Sequence, residues 1–414
     1  MTMAGLSCLA LVVTILASCT LRINAGVLAL VLAWLVGVYA GGMRFAEVVA
    51  GFPVQLFLTL GGVTYLFALA QSNGTMDRLT RYVVSCAPPN RGLLPVIFFG
   101  FAWLLSTIGP GAIGAATLVF PMAMAAAERA RIPAFLMSVM ICNGANAGNL
   151  APFSPAGVIV QRITAQMGMQ EHYLTFYLYN FLVHALVGFG GYLLFGGWRL
   201  LGHAAAPAST TTDDVVFAPA HVLTLGVIGA LLLGVVFFGL DAGMMAFAGA
   251  GLLTVAGAAS ERSAIRGMPW GVVLMVCGVS TLAALLERMG GLDLLTGMLA
   301  RGSTPATAPA LGAFAAGLLS AYSSTSGVVL PAFLPTVGPL VAKLGGGDPV
   351  AIAASMTIGA QLSDVSPLSA LGALCIAGAA AYEDPRALFN KLLAWGLSMS
   401  LVGAGLCYVL FSIL

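Results

Sequence analysis

The sequence predicts an all-α polytopic membrane protein built as an inverted-topology repeat, with about ten spans, two re-entrant helical hairpins and two broken helices. Three observations predict it. The chain of 414 residues is 60% hydrophobic and only 7% charged, where soluble domains carry about 25% charged residues. Apolar runs long enough to cross a bilayer, about 20 residues, recur from one end to the other. The two halves of the chain also repeat one another in order and in residues.

The first half offers spans near 4–20, 25–42 and 53–71, followed by the polar loop "QSNGTMDRLTRYVVSCAPPNRG". The run Leu6 to Ser18 lacks the basic n-region and small-residue cleavage site of a signal peptide and reads as a retained span. Apolar arms 91–105 and 112–127, joined by "STIGPG", form a hairpin over 91–127. A run over 133–165 is interrupted by "CNGANAGNLAPFSPAG", and a span at 173–197 closes the first repeat, 1–201. Residues 202–219, with "GHAAAPASTTTDD", read as a linker. The second repeat, 220–414, has spans 220–239, 242–258 and 269–286, and a hairpin over 306–342 with arms 306–320 and 327–342 joined by "AYSSTS". An interrupted run over 348–382 and a span at 387–412 complete it.

The match reaches individual residues. Pro53, Gly62, Val63, Leu66, Ala68, Leu69, Gly74, Asp77, Leu79 and Thr80 recur 216 positions later, from Pro269 to Thr296. Ser106 and Pro121 recur 214 later, and "NLAPFSP" (149–155) aligns 212 later with "QLSDVSP" (361–367). Internal repeats of this kind mark transporters. Each half has five crossing spans plus a hairpin that returns to its own side, and five is odd, so the second copy is inverted relative to the first.

Charge sets the orientation. Arg22, Arg78, Arg81, Arg91, Arg129, Arg131, Arg199, Arg262, Arg266, Arg386 and Lys391, 11 of the 16 Lys and Arg, fall on one side. The positive-inside rule makes that side cytoplasmic, with both termini outside. The net charge of +2 is too small to point to nucleic acid. The seven cysteines are scattered without metal-ligand spacing and read as small core residues.

Backbone that leaves the helix at membrane depth must be buried in protein or line a wet cavity. Ser154–Pro155 reads as an N-cap followed by Pro at the first helical position, and Ser366–Pro367 as a second copy of that signal. Each starts a half-helix whose positive end points into the break. The hairpin turns at Thr107–Gly111 and Ser323–Ser326 add two more such ends. Four helix N-termini among Asn, Ser and Thr make an anion site without a buried cation, and the spans contain no Lys or Arg away from their ends. The carbonyl ends of the preceding half-helices suit Na⁺. The substrate-binding candidates are Ser106, Thr107, Asn146, Asn149, Ser154, Ser323, Ser324, Thr325 and Ser366. Asp364, the one acidic residue deep in a span, leads the cation-coupling candidates, with Ser363, Gln361, Ser323, Thr325 and Gly109. The plainer alternatives are that the amides bond neighbouring helices and that Asp364 caps its own half-helix. His184, alone in its span, and the tryptophans read as packing or interface residues.

The stretch "INAGVLALVLAWLVG", followed by "AGFPVQLFLTLGGVTYLFALAQSNGTMDRL" and by the segment through "NGANAGNLAPFSPAGVIV", resembles the N-terminal region of MatC-type dicarboxylate carriers over roughly residues 20–165. More distantly, the two hairpins and two breaks resemble the divalent anion:sodium symporters, which carry a Ser-Asn-Thr motif at each hairpin tip. Here the second tip is Ser323-Ser324-Thr325, and the first is Ser106-Thr107 followed by Gly109-Pro110, a clear departure. The resemblance implies uptake of malonate or a C4-dicarboxylate by an elevator-like motion, in a bacterial inner membrane and as a homodimer. It implies no cofactor beyond co-transported Na⁺ or H⁺.

Competing functions make different demands on the sequence. A cation/proton antiporter on the same scaffold requires two or more midplane carboxylates, and Asp364 stands alone. An intramembrane protease requires a second Asp, a zinc motif or a Ser paired with His, and nothing brings Ser326 and His184 together. No Walker-type phosphate loop is present. A channel stays open as an alternative, because sequence does not reveal alternating access.

Overall fold

A computed structural model describes residues 2–20, 23–85, 90–202, 216–379 and 383–413. Among the described residues the fold is helical throughout. Most of the linker, 203–215, lies outside them, as do 380–382 at the end of the second interrupted run.

Helices Met3–Thr20, Ala25–Trp34 with a π-helical continuation to Ala40, and Val54–Ser72 open the first half. Pro219–Phe238, Ala242–Val255 and Trp270–Arg288 open the second. These six helices interlock across the halves. Ala25–Trp34 packs on Trp270–Arg288, while Ala242–Val255 packs on Val54–Ser72. Glycine permits both crossings. A methyl placed on Gly278 would lie 2.6 Å from the Gly26 Cα, and one on Gly243 would lie 2.6 Å from the Thr59 Cα. Without a hydrophobic drive between helices in lipid, such close backbone contact supplies the attraction.

The hairpins and the first segments of the broken helices pack chiefly within their own half, while Ala370–Ala379 packs mainly on Gly111–Arg129 and Tyr173–Leu194 also touches Pro349–Ser363. The first hairpin runs Leu93–Ile108, turns at Gly109–Pro110 and returns as Gly111–Arg129. Gly109 has φ +151° and leaves no room for a side chain against the Phe67 ring, so only glycine makes this turn. The first broken helix is Ala134–Gly148 and Pro155–Gln166, followed by Tyr173–Leu194. In the second half, Ala308–Ser320 and the arm beginning at Thr325 form the hairpin, Pro349–Ser363 and Ala370–Ala379 the broken helix, and Pro385–Tyr408 the last long helix. The halves match in detail: Gly144 faces the Phe99 carbonyl, and Gly359 faces the Ala313 carbonyl.

Two sequence expectations change here. The return arm of the second hairpin is not one regular helix. It passes through a π-helical turn (Thr325–Val329), α-helix (Leu330–Phe333), a 3₁₀ turn (Leu334–Thr336) and α-helix again (Val337–Leu344). Pro331 and Pro335 each remove a backbone donor, and the chain adjusts its turns around the freed carbonyls. The second correction is one of register. Ser366–Pro367 does not begin the second half-helix, which starts at Ala370 with Ser369 as its cap. The break therefore spans Asp364 to Ser369, matching Asn149 to Ser154 at an offset of 215, not 212.

Candidate functional site

Both hairpin tips and both helix breaks meet around one cavity of about 480 Å³. Its wall includes Gly109–Gly114 from the first tip, Tyr322–Ser326 from the second, Asn149, Pro155 and Ala156 from the first break, and Asp364 and Leu368–Ala370 from the second. Helix Val54–Ser72 adds Thr64, Phe67, Ala68 and Gln71. Among the described residues, Asp364 is the only charged side chain on this wall.

Four helices begin at the cavity, and three begin alike. Ser154, Ser324 and Ser369 each accept a hydrogen bond through Oγ from the amide of a glycine three residues on, at 3.2, 3.1 and 3.2 Å. The shared pattern is Ser-x-x-Gly: the serine fills the N-cap, and the glycine admits a close neighbour, which beside Gly327 is the Met275 side chain. Beside Gly157 that neighbour is the Ala151 carbonyl, and beside Gly372 the Ser366 carbonyl. The fourth helix begins at Gly111 behind Pro110, which has no side-chain oxygen to offer. Its cap comes from elsewhere: Asn149 Oδ1 accepts from the Ala112 amide at 3.0 Å. Each cap satisfies one orphan amide and leaves the rest of the first turn facing the cavity, where the helix dipole favours negative charge.

Asn149 and Asp364 hold corresponding places, each closing the C-terminal end of the half-helix before its break. The Asp364 carboxyl lies within hydrogen-bonding reach of the Thr325 and Ser369 hydroxyls. Thr325 also shares a hydrogen bond with Ser320 at 2.5 Å. Each break thus holds the hairpin tip of its own half, the first through a neutral amide and the second through a carboxyl group.

Of the residues proposed from sequence, Asn149, Ser323, Ser324, Thr325, Asp364 and Gly109 line the cavity. The others do not, for identifiable reasons. Thr107 is held by Tyr177 Oη at 3.0 Å, which also accepts from Trp103 Nε1. Ser106 is buried beneath the first tip. Asn146 turns to the Gln361 carbonyl, and Gln361 Oε1 accepts from Asn149 Nδ2 at 3.2 Å. Ser363 bonds Ser400 at 3.1 Å, on the side away from the cavity. Ser154 stands behind the wall as a cap, and Ser366 lies inside the turn of the break, accepting weakly from the Leu368 amide.

Sequence reasoning passed over Ser369, and over Thr64, Phe67, Ala68 and Gln71. These last four follow the i, i+3, i+4, i+7 spacing of a single helical face, a signal that was present in the repeated block 53–80.

Comparison with known proteins agrees with this architecture. Residues 1–149 match the family model described as dicarboxylate carrier protein MatC N-terminus. The solved structure of the Alcanivorax borkumensis YdaH transporter, described as having an unusual topology, is similar with a TM-score of 0.60. It covers 97% of this chain and 98% of its own at 16% identity, a likeness of fold. A search of curated proteins finds no match. The chain is thus a multi-pass membrane protein whose fold is like that of the YdaH transporter, and its first 149 residues match the N-terminal family model of the dicarboxylate carrier MatC.

Proposed function

We propose that the protein is a secondary carrier for a small dicarboxylate, malonate or a C4-dicarboxylate, coupled to Na⁺ or H⁺ in a bacterial inner membrane. One observation carries the reading: four helix N-termini converge on a cavity whose wall, among the described residues, holds no Lys or Arg and a single carboxyl group. Backbone dipoles, hydroxyls and the Asn149 amide would receive the two carboxylates, as anions are received at helix ends elsewhere. Asp364 would then repel the substrate unless its charge is cancelled, and a co-transported cation does so. The Thr325 and Ser369 hydroxyls beside it support that role, since they supply oxygen ligands for Na⁺ or partners for a protonated acid. The odd number of crossing spans in each half and the distribution of Lys and Arg support inversion of the second half, with both termini outside. An elevator-like movement of the hairpins and breaks against the six interlocked helices, in a homodimer, completes the proposed cycle.

The test is uptake of labelled malonate and succinate by proteoliposomes under separately imposed Na⁺ and H⁺ gradients. Accumulation driven by one gradient is expected. Absence of uptake and of counterflow for every small dicarboxylate, under both gradients, would overturn the substrate assignment.

A further inference from the structure

The cavity does not use all the polar chemistry buried between these helices. Asn143 and Asn146 on the first broken helix meet Asn180 and His184 on Tyr173–Leu194 and Gln361 on the second broken helix, and all five side chains are buried to within 1% of full enclosure. Their amide orientations are fixed by partners that only accept. Asn143 Nδ2 donates to the Val139 carbonyl at 2.9 Å, Asn146 Nδ2 to the Gln361 carbonyl at 3.0 Å, and Asn180 Nδ2 to the Asn146 carbonyl at 2.8 Å. Flipping any of them would set two oxygens against each other. Asn143 Oδ1, Asn146 Oδ1 and Asn180 Oδ1 are therefore settled acceptors, and none has a hydrogen-bond donor. The same logic fixes Gln361. Asn149 Oδ1 accepts from Ala112, so its Nδ2 donates to Gln361 Oε1, which leaves Gln361 Nε2 as the one unpartnered amide donor.

Buried acceptors without donors are costly and rare. Three amide acceptors stand against one amide donor, and His184 Nε2, also without a partner, joins the acceptors because Nδ1–H donates to the Asn180 carbonyl at 2.9 Å, so the cluster is electron-rich. Its position adds to this: Asn143 and Asn146 lie in the last turns of Ala134–Gly148, and Gln361 in the last turn of Pro349–Ser363. The negative ends of two helix dipoles are thus directed at the same place. A water molecule has two protons to donate and so serves at most two of the three oxygens, whereas a small cation takes several amide oxygens at once and carries a full charge into that field. We infer that Asn143, Asn146 and Asn180 hold a monovalent cation of about Na⁺ size through their amide oxygens, at a site separate from Asp364.

The experiment is equilibrium binding of ²²Na⁺ to the purified full-length protein in detergent, with thermal unfolding in NaCl, LiCl, KCl and choline chloride as a second readout. Asp364→Asn is the background, because it removes the carboxylate proposed for coupling and isolates this cluster. Asp364→Asn is expected to keep one saturable Na⁺ site, and its unfolding temperature to rise in NaCl over choline chloride. Adding Asn143→Ala or Asn180→Ala is expected to weaken that binding ten-fold or more and to abolish the salt-specific rise. Asn180→Gln, which keeps the amide and displaces its oxygen, carries the same expectation and serves where an alanine variant is not recovered folded. If Asp364→Asn binds no saturable Na⁺ and unfolds alike in all four salts, the oxygens are hydrated and the inference fails. It fails equally if the Na⁺ response survives these substitutions unchanged. Transport of a dicarboxylate driven by H⁺ alone leaves the result untouched, so this inference and the carrier assignment fail separately.

Discussion

Asn149 and Asp364 occupy corresponding breaks and differ by one formal charge. The Asn149 side-chain oxygen Oδ1 caps the Ala112 amide and needs no further partner. Asp364 shares the cavity wall with helix N-termini, and in the proposed cycle its carboxylate would compete with the substrate for them until a cation joins it. Asp364→Asn is expected to bind dicarboxylate in the absence of the coupling ion and to lose the ion dependence of affinity. Substrate affinity measured against Na⁺ concentration and pH decides this: an ion dependence equal to wild type reduces Asp364 to a helix cap. The serines give a second prediction. Ser154→Ala and Ser369→Ala each remove an N-cap, at a cost of about 1 kcal/mol, and disturb a first turn on the cavity wall. Each is expected to weaken dicarboxylate binding roughly ten-fold, the equivalent of about 1.4 kcal/mol, and Ser366→Ala much less. Equal losses in Ser366→Ala and Ser369→Ala would restore the register read from sequence. That reading placed Ser154 correctly because Ser-Pro coincides there with Ser-x-x-Gly. In the second break the two signals separate, with Pro367 drawing the cap to Ser366 while Gly372 requires it at Ser369. Hydrogen-bond geometry chose the glycine.

The hairpins and breaks were legible as elements because punctuation marks them: Gly-Pro-Gly at the first tip, a run of hydroxyl residues at the second, and prolines within each break. Helix pairing was not legible. A helix that is apolar all round shows no face that names its neighbour, and the exchange of helices between halves emerged only from the positions of Gly26, Gly62, Gly243 and Gly278. The irregular second arm stayed hidden for a related reason. Pro121 and Pro335 align in the two halves, yet Pro121 sits within a regular helix and Pro335 within a 3₁₀ turn. The added Pro331 distinguishes the second arm. The interlock carries its own prediction. Gly278→Ala places a methyl against the Gly26 backbone, which has no flexible end to move aside. Overpacking of this kind costs about 1–3 kcal/mol, so the purified variant is expected to unfold at a lower temperature in detergent. Gly251→Ala, where an added methyl meets nothing within 4 Å, is the matched control. Equal unfolding temperatures for the two variants would show that the helices crossing at Gly278 tolerate separation.

At the scale of the whole molecule, inversion is the property on which the proposed cycle depends. If the halves run in opposite senses through the bilayer, corresponding residues on outer loops must lie on opposite faces. Asp77 and Asp293 are such a pair: they sit 216 positions apart, each in the first turn of a short helix after the third span of its half, and both are exposed. Asp77 has Arg78 and Arg81 for neighbours, on the side with most of the positive charge, and Asp293 pairs with Lys343 on the other. A membrane-impermeant thiol reagent separates the faces. Cys8, Cys142, Cys277, Cys375 and Cys407 are buried, so replacing Cys19 and Cys86 is expected to leave little background labelling in intact cells. In that background Asp293→Cys is expected to react in intact cells, and Asp77→Cys only after the membrane is opened. Labelling of both from the same face would make the halves parallel. The helix N-termini would then still meet at one cavity, but no pseudo-two-fold axis in the membrane plane would relate them, and the cavity could not be offered to the two sides by equivalent movements of two like halves.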